Sequence, residues 1–77
     1  MPAPENLQVG DTIAYAASWA VLHGEVIVVW KNGDVTIRWF DDMKDPSGNP
    51  MTEPFRIRPS HTMMLTSKGN QPSKSNP

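Results

Sequence analysis

LHGEVIVVWKNGDVTIRWF, residues 22–40, places two β-rich runs on either side of Asn32-Gly33. Asn-Gly between apolar runs is a strong hairpin signal, because a type I′ turn needs positive φ at both central residues. A two-residue loop then sets the register. Trp30 opposes Val35, Val28 opposes Ile37, Val26 opposes Trp39 and Gly24 opposes Asp41, while Val29, Ile27 and Glu25 oppose Thr36, Arg38 and Phe40. Side chains alternate between faces along a strand. The first set therefore makes an apolar face with Trp30 and Trp39 in the core, and the second carries the charges and hydroxyls. Lys31 and Asp34 are expected to close the turn as a cross-strand ion pair. A single hairpin does not hold in water, so other strands must cover its apolar face.

The remaining composition narrows the class. The chain has 77 residues, room for one domain and a limited core. It has no cysteine, which excludes disulfides and thiolate metal sites, and two histidines, too few for a zinc set. Seven basic and eight acidic residues give a formal net charge of −1, without the surplus a phosphate-neutralising protein usually carries. No apolar run approaches the ~20 residues of a membrane span, and MPAPENLQ has no signal-peptide pattern. A soluble, cytoplasmic protein is expected. Eight prolines and the lack of helical periodicity point to an all-β fold.

Taken in order, residues 1–8 read as a flexible, proline-punctuated arm. Val9-Gly10-Asp11 is a turn launching a strand over residues 12–16, with Ile13 and Tyr15 on one face. Residues 17–20 form a small-residue loop around Trp19. The second strand runs from Val21 to Trp30. Gly24 on its inward face suggests a bend or a close backbone approach, which lets one long strand serve two sheets. After the third strand, residues 34–40, comes the long acidic connection DDMKDPSGNPMTE over residues 41–53. Phe55-Arg56-Ile57-Arg58 makes a short fourth strand with the arginines outward. Pro59-Ser60-His61 suits one 3₁₀ turn, and residues 62–66 give a fifth strand. Residues 67–77, SKGNQPSKSNP, contain no apolar side chain and are expected to be disordered.

This arrangement resembles the SH3-like barrel, and within it the Tudor-type domains. The matching residues are Val9-Gly10-Asp11, Gly24-Glu25-Val26, Asn32-Gly33-Asp34, Ile37 to Asp42, and Ile57-Arg58-Pro59, together covering residues 9–66. The resemblance implies a five-stranded barrel with a 3₁₀ turn before its last strand. Methyl-reading Tudor domains hold methylated lysine or arginine in an aromatic cage. Here Tyr15 or Trp19 matches the first cage position and Trp39 or Phe40 the third. Leu22 or His23 stands at the early second-strand position, and Asp41 and Asp42 replace the aromatic of the following loop. The chain also resembles, in length and strand pattern, the plasmid-borne, single-barrel type of dihydrofolate reductase. The Val-Gln-Ile-Tyr run of that family corresponds here to Phe55-Arg56-Ile57-Arg58, without the glutamine and tyrosine, so that activity is not carried over.

No nucleophile with a partnered base is apparent, so no catalytic residue, metal site or cofactor is assigned. The expectation is a small interaction module that recognises a protein or basic peptide through Tyr15, Trp19, Phe40, Asp41, Asp42 and Asp45, the acids favouring a basic ligand. The alternative is weak nucleic-acid binding through an outward stripe of Arg38, Arg56 and Arg58 with Lys44. A third reading is an obligate homo-oligomer, since one of Met63 and Met64 must face outward; the size also fits a phage or bacterial accessory protein. No membrane partner is expected.

Overall fold

The computed structural model describes residues 3–69. They form five antiparallel strands: β1 (Thr12–Ala16), β2 (Val21–Val29), β3 (Val35–Trp39), β4 (Phe55–Ile57) and β5 (Met63–Ser67), in the order β4-β3-β2-β1-β5. The protein is all-β. The nine-residue β2 is the shared strand: Val21–Glu25 pair with β1, and residues from Gly24 onward pair with β3. Among the described residues β4 and β5 do not pair, so hydrogen bonds leave the sheet open at both edges. The turn before β5 is closed by the Met63 N–H on Ser60 O at 3.0 Å and by the Ser60 hydroxyl, which accepts the Thr62 N–H at 3.3 Å and pairs with the Thr62 hydroxyl at 2.7 Å.

The hairpin differs from the expected one. Val29 pairs with Val35 and Val28 with Thr36, then Ile27 bulges out and Val26 pairs with Ile37, Glu25 with Arg38 and Gly24 with Trp39. The loop has three residues, Lys31 to Gly33, closed by the Trp30 N–H on Asp34 O at 2.8 Å and the Gly33 N–H on Trp30 O at 3.0 Å. Gly33 takes φ +96° and Asn32 has no positive φ, which matches a type I turn followed by a glycine bulge rather than a type I′ turn. A one-residue change of register exchanges faces. Ile27 absorbs that change, so Val26, Ile37 and Trp39 remain inward while Val28 and Trp30 pass to the outer face. Trp30 is 39% exposed, and its expected core position is corrected. Asp34 pairs with Arg56 and Arg58 instead of Lys31.

The core comprises Leu7, Ile13, Leu22, Val26, Val35, Ile37, Trp39 and Met63. Gly24 lies among them because β3 passes too close for a side chain. Leu7, from the arm expected to be flexible, packs into this core. At the other end β5 includes Ser67, and Lys68 and Gly69 bind Asp11, so the last ordered segment extends beyond residue 66. The remainder of the expected tail, residues 70–77, lies outside the described residues. No helix among the described residues is long and apolar enough to cross a membrane.

Candidate functional site

The strand order gathers the end of β1, the start of β2, the end of β3 and the start of β4. Tyr15 opposes Leu22, Gly24 opposes Trp39, and Ile37 opposes Phe55. Three rings consequently meet. The centroids of Tyr15 and Trp39 lie 6.2 Å apart at 42°, and Phe55 meets Trp39 edge-on at 5.5 Å and 85°. Such tilted and T-shaped contacts suit the ring quadrupoles. Trp39 is 3% exposed, and its indole N–H has no protein acceptor among the described residues.

Two exposed rings border this cluster. Trp19, 40% exposed, donates its indole N–H to Lys44 O at 2.9 Å, which fastens the residue 17–20 loop to the long connection. Phe40, 36% exposed, is positioned by its N–H on His23 O at 3.0 Å. The connection itself is folded. Lys44 and Pro50 bridge, Met51 N–H bonds Met43 O at 3.1 Å, and Met43 and Met51 pack against the core. Asp45 caps its tip, one carboxylate oxygen accepting the Ser47 and Asn49 N–H groups at 2.9 Å each. This is the side-chain turn that Asp favours. Asp45 is therefore occupied by its own loop. Asp41 and Asp42 are exposed and form no ion pair among the described residues. A cleft of about 170 Å³ lined by Asp45, Met51, Glu53 and Phe55 opens on the same connection.

All six residues expected to contact a ligand thus lie at one end of the sheet, with Tyr15 half-buried beside the more deeply buried Trp39 and Asp45 in a structural role. Lys44 belongs to this end as well, apart from the three arginines. Those occupy the outer face of β2–β4, each with an acidic partner. Arg38 bonds Glu25 at 3.0 Å, while Arg56 and Arg58 converge on Asp34 at 3.2 and 3.1 Å. The Arg56 guanidinium lies 4.0 Å above the Trp30 ring, and Trp30 donates its indole N–H to Thr36 Oγ1 at 2.8 Å.

One residue carries more than its sequence neighbourhood suggests. Asp11 is wholly buried, with one carboxylate oxygen accepting Gly69 N–H and the other accepting Gln8 N–H at 2.9 Å and Lys68 Nζ at 2.9 Å. Burial pushes this carboxyl up, but the hydrogen bonds from Gly69, Lys68 and Gln8, with the charge of Lys68, outweigh it and hold the group below its ordinary value. Two of these partners lie 57 and 58 residues away, and a local Val-Gly-Asp turn pattern says nothing about them.

Among the described residues no group of three His, Asp or Glu side chains is placed to hold a metal ion. No protein-family model, curated protein or solved structure matches the chain.

Proposed function

We propose that this chain is an SH3-like, Tudor-resembling module without catalytic activity, which binds a protein or basic peptide through the aromatic and acidic end of its sheet. The strand order and the long shared β2 support the barrel reading. The observation that carries the binding reading is the exposed pair of rings, Trp19 and Phe40, held beside the unpaired acids Asp41 and Asp42. Exposed aromatics held in place offer contact area at low ordering cost, and unpaired acids attract a cationic partner. A cation reaching Phe40 or Trp19 gains ring attraction of about 0.5–1 kcal/mol at such exposed sites.

The test is an amide-shift NMR titration of the labelled protein with a lysine- and arginine-rich peptide, with and without methyl-lysine. Shifts confined to Tyr15, Trp19 and residues 40–45, weakened in Asp41→Asn/Asp42→Asn, are the expected result. Dependence on the methyl group would extend the proposal to methyl reading. An unperturbed spectrum at millimolar peptide would defeat it.

A further inference from the structure

Outside this end, the largest organised group of exposed polar side chains is the outer face of β2–β4. Three arginines, Arg38, Arg56 and Arg58, share two carboxylates there, Glu25 and Asp34, so the face keeps a positive surplus in a chain of net charge −1. The arginines follow the sheet. Arg56 opposes Thr36, Arg58 lies two residues further along the chain, and Arg38 lies two residues from Thr36 in the opposite direction. Residues two apart share a face and are separated by about 7 Å, so the three form a diagonal row that runs along β4 and steps onto β3. In the middle of that row the Arg56 guanidinium carbon lies over the Trp30 indole, 4.0 Å from the ring centroid.

The acids do not cancel this surface; they set its geometry. Asp34 receives Arg56 through Nε, and the two terminal nitrogens of Arg56 bond no protein acceptor among the described residues. Arg58 is steered by Asp34 and by Asn32 O at 3.1 Å. The Arg38–Glu25 pair is exposed and contributes little, whereas the Asp34 side chain is only 17% exposed and holds Arg56 and Arg58 in place. A guanidinium held over an indole offers a platform for a base, since bases stack on guanidinium planes as well as on rings. An acidic peptide would use the charges and leave that platform idle.

We propose that this face binds single-stranded nucleic acid, a base stacking on the Arg56–Trp30 pair and neighbouring phosphates meeting Arg38 and Arg58. Its residues differ from those assigned to the aromatic and acidic end, which it adjoins at Phe40, two residues after Arg38 and just past the end of β3.

The experiment is fluorescence anisotropy with a labelled ten-nucleotide thymidine strand and the full chain. Two phosphate contacts predict a log–log salt slope of about −1.4, a loss of roughly sevenfold in affinity between 50 and 200 mM salt. Arg58→Gln, at a side chain 64% exposed, should flatten the slope by about 0.7 without affecting folding. Arg56→Gln, which removes both platform and charge, should weaken binding by about tenfold or more. Trp30→Phe should weaken binding while leaving the salt slope unchanged. Asp41→Asn/Asp42→Asn should not weaken it, which separates this surface from the peptide site. The proposal is overturned if the strand fails to bind at 50 mM salt, or if Arg58→Gln and Trp30→Phe bind as the parent does. Displacement of the strand by polyglutamate, charge for charge, would also overturn it and mark the face as a contact for acidic proteins.

Discussion

At Gly24 a Cβ would stand 2.5 Å from Ile37 Cγ2, 2.8 Å from Arg38 O and 3.0 Å from Trp39 Cε3. Two of those atoms belong to well-packed core side chains and one to backbone, so the crowding has no inexpensive relief. Gly24→Ala should cost about 1–3 kcal/mol through overpacking, read as a lower denaturant midpoint at unchanged slope. An unchanged midpoint would mean that β2 and β3 separate more easily than their contacts imply. The role of this residue was legible in the sequence, because a glycine on the inward face of a long strand points to a close approach. Trp39 was legible too, enclosed by alternating apolar residues. Trp30 was not. Its face depends on whether Ile27 is paired or bulged, and nothing in the residue types distinguishes the two until the polar partners Thr36 and Arg56 are seen around the ring.

At the scale of elements, the Asn32-Gly33 signal located the hairpin correctly and its turn type wrongly. Both a two-residue type I′ loop and a three-residue loop with a glycine bulge accept Asn-Gly, and only the second leaves Asn32 without positive φ. Gly33→Val should nonetheless be disruptive. There is room for a side chain, the nearest atom being Arg58 Nη1 at 3.8 Å, but a β-branched residue resists φ +96°. A cost of about 1–3 kcal/mol is expected, or a fall in melting temperature of several degrees in a domain of this size. A melting temperature equal to the parent's would contradict the loop described above. The residue 41–53 connection was legible as long and acidic, but its interior was not. The Asp45 cap and the Lys44–Pro50 bridge turn it into a small folded excursion. Replacing the cap, Asp45→Ala, should speed amide exchange at Ser47 and Asn49 while leaving β1–β3 protected.

For the whole molecule, the joint between the arm, the start of β1 and the segment after β5 passes through Asp11. Because its folded-state pKa is lowered, Asp11 contributes stability that is complete above the ordinary carboxylate range and is lost as pH falls through the lowered value. Melting temperature should therefore hold between pH 7 and 5 and drop in acid. Asp11→Asn should be less stable by roughly 2–3 kcal/mol at neutral pH, since an amide accepts fewer of these bonds and leaves a buried donor opposed. It should also lose part of the acid sensitivity; a parallel pH profile would place the acid response elsewhere. The open edge has a different bearing, on handling. β5, MMLTS, carries neither charge nor proline, and Met64 is 55% exposed. Among the described residues no backbone hydrogen bond joins Ala3–Glu5 to that strand across the apolar groove beside it. Natural sheets usually blunt such edges with lysine, proline or a bulge. Here the irregularity, where the pairing with β1 skips Thr66, lies at the far end of β5 from Met63, and the nearest lysine, Lys68, is already held by Asp11. Stored concentrated samples should accordingly thicken into strand-stacked aggregates that bind thioflavin, fastest in acid where the joint at Asp11 loosens, and Met64→Lys should keep them clear.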